Sequence, residues 1–231
     1  RGLGLAMASK KYREFPELCK DGYLSNNGNE VVFGTIGDAS TSEGVFWESL
    51  NAAAVIQVPL AVSVWDDGYG ISVPIEYQTV KKSISEALKG FESDQSGEGI
   101  SIYKVNGWNY QELCTMYEEG IEKMRLTHKP ALFHVTELTQ PQGHSTSGSH
   151  ERYKSQERLA WEAEHDCIKV MRNWIIEAEL ATTAIVDLIT DKAKIYAKAC
   201  KDRAWRLYND PIKQELENLS QILTSCDVSV T

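Results

Sequence analysis

Val31-Val32-Phe33-Gly34-Thr35-Ile36-Gly37-Asp38-Ala39-Ser40-Thr41-Ser42-Glu43 is the stretch on which the reading of the whole chain turns. Its apolar run, 31–36, has strand length and no polar alternation, the pattern of a strand buried on both faces of a parallel sheet. Ser40 stands three residues before Glu43, the spacing of a capping box, and predicts a helix over about 42–56. Val45, Phe46, Leu50, Ala53, Ala54 and Ile56 form its buried side, and Pro59 lies beyond its end. Residues 60–65 then read as a second buried strand. A strand, a helix and a strand within about 35 residues make a parallel crossover unit.

The same alternation extends both ways. Residues 3–14 carry small residues on one helical face, and 15–30 are polar and turn-rich around Asn26-Asn27-Gly28-Asn29. Downstream come a short helix at 80–90, a turn at Gly97-Glu98-Gly99, a strand at 100–105, a helix at 110–127 and a strand at 131–138. Strands alternating with helices imply an α/β fold of three layers, a parallel sheet with helices on both faces. From 153 to 217 the pattern is almost wholly helical, with helices expected at 155–164, 166–178, 181–207 and 210–222. The expected organisation is an α/β domain over 1–150 and a helical extension over 151–231.

With 231 residues, 42% apolar and 25% charged, the chain can bury a sizeable core. No apolar run approaches the roughly 20 residues of a membrane span. The net charge of −9 argues against a nucleic-acid partner, because a phosphate backbone calls for a basic face. Five cysteines, none in a CxxC pair, suggest reduced thiols and a cytoplasmic location rather than a disulfide framework or zinc site. No cleavage pattern follows the short apolar stretch 2–8, so no signal peptide is expected. Arg1 already lies in a helical pattern, as in a piece of a longer chain.

Chemistry concentrates just after the strands, where ligands bind in open parallel sheets. Asp38 follows the first strand of the unit, and Asp66-Asp67-Gly68-Tyr69-Gly70 follows the second. If those strands are neighbours, Asp38 and Asp67 converge on one hard cation, Mg²⁺ or Ca²⁺, with ligand phosphates filling the remaining positions. The helix opening near Ser42 aims free N–H groups at the same spot. On spacing alone the residues read equally as a helix cap and a tight acidic turn.

Here a resemblance becomes specific. Gly37-Asp38-Ala39, about 30 residues before Asp66-Asp67, resembles the thiamine diphosphate (ThDP) motif, usually Gly-Asp-Gly followed by paired asparagines. Gly44, Trp47-Glu48-Ser49-Leu50-Asn51-Ala52-Ala53-Ala54, Pro59 and Gly68-Tyr69-Gly70-Ile71-Ser72 extend the match. Together they are similar to the α subunit of the E1 component of 2-oxo acid dehydrogenases over residues 1–180. The resemblance implies a metal held by the Asp38 and Asp67 carboxylates and the Tyr69 carbonyl. It places Gly37, Ala39 and Ser40 at the diphosphate and Ile71 at the thiamine. Gln142-Gly143-His144-Ser145-Thr146-Ser147 looks like the family's Gly-His-Ser loop, and the resemblance implies that His144 is the catalytic residue above the thiazolium, a proton donor or ligand in acyl handover. Ser145 matches a position phosphorylated in mitochondrial members.

The departures concern charge: both asparagines are aspartate here, Trp65 replaces a phosphate-binding arginine of branched-chain members, and Gln140 stands where arginine is frequent. The residues 128 and 134 are read as structural histidines, and His150 and Arg152 as candidates for phosphate contact. The glutamate that the family needs against the aminopyrimidine belongs to a partner pyrimidine-binding domain, a β subunit or a fused half. The implied assembly is a dimer or α₂β₂ delivering acyl groups to a lipoyl-bearing E2. A catalytically silent subunit, a module for another phosphorylated ligand and a transketolase-like enzyme are the alternatives.

Overall fold

The computed structural model describes residues 1–20, 22–144 and 150–226. Four strands form its main sheet: β1 (Val32–Gly37), β2 (Leu60–Trp65), β5 (Ser101–Asn106) and β6 (Ala131–Thr136). They lie in the order β1-β2-β6-β5, all parallel. Two short strands, β3 (Tyr69–Gly70) and β4 (Val73–Pro74), make an antiparallel hairpin just after β2. The helices are α1 (Gly2–Glu14), α2 (Gly44–Ile56), α3 (Ile84–Ala87), α4 (Tyr110–Thr127), α5 (Gln156–Glu164), α6 (Cys167–Glu177) and α7 (Thr183–Ser225).

Strand alternation sorts the core into two layers. Leu132 of β6 and Val64 of β2 face Phe46 and Leu50 of α2 and Ile84 beside Leu88. Ala131, Phe133 and Val135 of β6 face the other way, onto Met116 and Met124 of α4. On the α2 side, Ala6 of α1 packs with Ala53, Val58 and Leu60. The three-layer α/β arrangement expected from the sequence is therefore present. Fully burying a side chain such as Phe133, Leu50 or Leu132 contributes about 1.5–3 kcal/mol each. At Gly120 of α4 an added Cβ would stand 2.5 Å from Phe133 Cε1, so the glycine is what lets the helix seat on the sheet.

The central strand β2 is buried on both faces, as an uninterrupted apolar run predicts. Strand β1 differs from expectation: its residues alternate between half-buried and exposed, and Phe33 is 48% exposed. The reason is position, since β1 lies at the edge of the sheet. The capping box is also absent. Residues 39–42 form a 3-10 turn, α2 starts at Gly44, and Glu43 occupies the cap without a side-chain hydrogen bond. Between 80 and 90 the expected helix shrinks to the single turn α3 between 3-10 turns, because Lys81 and Lys82 have positive φ.

By packing the chain divides into two units, Arg1–Met171 and Arg172–Thr231. The second is dominated by α7, one helix of 43 residues where two had been expected. Pro211 lies inside it. A proline removes one N–H donor, but on an exposed helix the freed Leu207 carbonyl can turn to water, so the helix continues. No described helix is long and apolar enough to cross a membrane.

Candidate functional site

Sequence order and sheet order together locate a crevice. From the edge strand β1 the chain steps inward to β2, and from the opposite edge strand β5 it steps inward to β6, so the direction reverses between β2 and β6. Loops splay apart at such a reversal and leave space at the carboxyl ends of the strands. Trp65, Asp67, Leu138, Gln140 and His144 line a cleft of about 310 Å³ there, with Gly37 and Asp38 from the end of β1. A larger cleft of about 570 Å³ shares Gly37, Asp38 and His144 and continues over Ala39, Ser40, Glu43, Tyr69, Gly70, Ile71 and Gln78. Main-chain bonds pin the loops: Asp38 N–H donates to the Trp65 carbonyl at 3.2 Å, and Leu138 N–H to the Asp66 carbonyl at 3.0 Å.

The residues that the resemblance implies for metal, cofactor and proton transfer meet here: Gly37, Asp38, Ala39, Ser40, Tyr69, Ile71 and His144 line the larger cleft, and Asp67 lines the smaller, whereas His150 and Arg152 line neither. The premise of the pairing holds, since Gly37 and Trp65 are partners in adjacent parallel strands. Gly70 allows the close approach of the two loops; an added Cβ would come 2.8 Å from the Ala39 Cβ. Ile71 adopts φ 58°, a conformation that costs a β-branched residue energy, and is 68% exposed at the hairpin tip. Ser145, Thr146 and Ser147 of the Gly-His-Ser loop lie outside the described residues.

Electrostatics separate the three aspartates. Asp66 is satisfied: Oδ1 accepts from Gly68 N–H at 2.8 Å and Oδ2 is 2.8 Å from His134 Nε2. The other nitrogen of His134, Nδ1, is 2.9 Å from Ser85 Oγ, making a buried chain across the core. Asp38 and Asp67, 3% and 5% exposed, each leave Oδ2 without a hydrogen-bond partner. Asp67 Oδ1 accepts from Tyr69 N–H at 3.2 Å, and its Oδ2 lies 3.6 Å from His144 Nδ1. Burial, followed by the neighbouring Asp66 and Asp67 charges, pushes the Asp38 carboxyl up to about 7. Burial also raises Asp67, against the opposing pull of His144. Native proteins seldom bury a carboxylate oxygen without a hydrogen-bond partner, and here two such residues line one cleft, an arrangement that a cation would satisfy.

Among the described residues no three His, Cys, Asp or Glu side chains close around a metal. The two carboxylates would form an open set, in need of main-chain oxygens and a ligand's oxygens. The clefts are lined by no lysine or arginine. His128 and His134 are structural, as expected: His128 caps α4 in a left-handed conformation and bonds the Gly28 carbonyl at 2.7 Å. His150 sits against Gly143 rather than in either cleft. Sequence reading missed Ser85, Lys154, Arg158 and Glu162; the one local signal was the i,i+4 spacing of Arg158 and Glu162 on α5.

Comparison with known proteins identifies the family. The model of the family described as Dehydrogenase E1 component matches residues 1–213. The chain is 24% identical over 221 residues, 96% of its length and 60% of the relative's, to the pyruvate dehydrogenase E1 component subunit alpha of Rickettsia bellii. It is 28% identical over 175 residues, 75% of its length and 45% of the relative's, to the 3-methyl-2-oxobutanoate dehydrogenase subunit alpha of Mycobacterium tuberculosis. The 2-oxoisovalerate dehydrogenase subunit alpha of Bacillus subtilis is 24% identical over 174 residues, covering 75% of this chain and 50% of the relative. The chain thus spans about half the length of these curated relatives. With its match running over most of its residues, the chain belongs to the dehydrogenase E1 component family.

Proposed function

We propose that this chain supplies the metal and diphosphate half of the active site of a ThDP-dependent 2-oxo acid dehydrogenase acting on pyruvate or a branched-chain 2-oxo acid. The observation that carries the reading is the pair of buried, unpartnered carboxyl oxygens on Asp38 and Asp67, at the ends of adjacent strands and facing one crevice. They fit a hard cation, Mg²⁺ or Ca²⁺, with the Tyr69 carbonyl as a third oxygen. Gly37, Ala39 and Ser40 would face the diphosphate and Ile71 the thiamine ring. When bound, ThDP supplies the nucleophile and electron sink for decarboxylation. His144, beside Asp67, would hold and deliver the proton during acyl handover.

The clefts hold acids and no lysine or arginine, so the cation carries most of the charge compensation for the diphosphate. A pyrimidine-binding partner, as a β subunit or fused domain, would complete the site within a dimer or α₂β₂ assembly, and a lipoyl-bearing E2 would receive the acyl group. The functional division we propose is a cofactor domain over 1–150 and a helical extension over 151–231, although packing divides the chain at Met171. Calorimetric titration of ThDP with millimolar Mg²⁺, on the chain alone and with its partner domain, tests the reading. Binding that disappears in Asp38→Asn supports it. No binding in either setting favours a catalytically silent subunit, for which the surplus carboxylate at Asp67 is the motivating observation.

A further inference from the structure

Arg158 of α5 lines neither cleft, yet it holds the loop that carries Asp67. Its Nη2 donates to the Asp67 main-chain oxygen at 3.1 Å, and its Nε donates to Glu162 Oε1 at 2.8 Å. The guanidinium lies 5.8 Å from the centroid of the Tyr69 ring and 4.7 Å from that of Trp161. Glu162, 1% exposed, also accepts from Lys154 Nζ through both oxygens, at 2.8 and 2.9 Å. Lys154 Nζ stands 5.0 Å from the same Tyr69 ring, whose other neighbour is Tyr153 at 5.7 Å between centroids.

One anion and two cations, taken largely out of water, stay together only in a fixed geometry. That geometry is spent on residues 67–69. Arg158 fixes the Asp67 peptide and, with Lys154, the Tyr69 ring. The carboxylate of Asp67 and the carbonyl of Tyr69 are two of the oxygens assigned above to the cation.

We propose that Arg158, braced by the buried Glu162–Lys154 pair, is a positioning residue that sets the cation affinity of the Asp67–Tyr69 loop. The proposal rests on the reading of Asp38 and Asp67 as cation ligands. It has a sign that simple electrostatics would reverse. Removing a positive charge near a cation site strengthens cation binding, whereas removing the support of a metal ligand weakens it, typically by 10–100-fold.

The experiment is a titration of the full chain with Mn²⁺ in the presence of ThDP, free Mn²⁺ being read by paramagnetic resonance, with a thermal melt of each variant. Arg158→Leu should weaken Mn²⁺ binding by about tenfold at unchanged stoichiometry, and Arg158→Lys should recover part of the loss. Affinity equal to or tighter than wild type in Arg158→Leu overturns the proposal. So does a lowered stoichiometry at unchanged affinity, which reports only a smaller folded fraction. Where the leucine variant does not fold, Arg158→Gln is read by the same criteria. If wild type binds no Mn²⁺ either alone or with its partner domain, the cation reading of the site fails and this proposal with it. If wild type binds, Asp38→Asn does not, and Arg158→Leu matches wild type, this proposal fails alone.

Discussion

Two neighbouring residues of one turn, Asp66 and Asp67, have the same side chain, similar burial and opposite fates. Asp66 spends both oxygens inside the protein, on Gly68 N–H and on His134, and the chain continues to Ser85. Asp67 uses one oxygen on Tyr69 N–H and leaves the other without a hydrogen bond, facing His144 at 3.6 Å in the cleft it shares with the likewise unbonded Asp38 Oδ2. A buried polar group whose partners are all internal stabilises one fold. A buried group kept short of a partner costs stability until something arrives from outside. The difference between structure and function at this crevice lies in the accounting of lone pairs, and it cannot be read from residue type.

That contrast can be broken from either side. The largest effect should come from the satisfied member. Asp66→Ala strips the partner from His134 and from Gly68 N–H, and should cost about 3 kcal/mol in a urea melt, cation present or not. Asp38→Asn should do the reverse: near wild-type stability without cation at pH 5, where Asp38 holds its proton, and no response to cation. Wild type at a cation concentration a hundredfold above Kd should gain about 2.7 kcal/mol, and an equal gain in the variant would remove Asp38 from the site.

Acidity gives a third lever. The folded-state pKa of Asp38 is raised from 3.8 to about 7, so the native state holds a proton that the unfolded chain has released. Stability of the cation-free chain should therefore fall as pH rises from 5 to 8, by about 2 kcal/mol from this group. The Asp38→Asn variant should lack that slope. The smallest expected effect is at Ile71. Replacing this left-handed residue by glycine should raise stability by about 1 kcal/mol while weakening ThDP, which would lose the isoleucine surface. A loss of stability instead would show that the exposed side chain carries more packing than its surroundings suggest.

Much of the α/β layer was legible because its signals are local. The apolar runs at 31–36 and 60–65 and the periodic helix at 110–127 each declare themselves within one window. The placement of Asp38 and Asp67 needed one further assumption, that successive strands are adjacent, and here they are. What escaped depends on partners far along the chain. His134 meets Ser85 and Asp66, 49 and 68 residues away, and Arg158 meets Asp67, 91 residues away. Two local rules also gave way: the Ser40–Glu43 spacing yields a 3-10 turn rather than a cap, and Pro211 fails to end a solvent-exposed helix.

The insertion of β6 between β2 and β5 has a consequence during synthesis. Ala61 on the inner edge of β2 waits for Ala131, 70 residues later, to supply its neighbour. At roughly 5–20 residues per second, a ribosome leaves that edge bare for several seconds after β1 and β2 have emerged. The nascent half-sheet then presents an apolar strand with unpaired N–H and C=O groups, the kind of surface that other chains join. Molecular chaperones would matter most to this protein in that interval, before its last core strand slides into the middle of the sheet.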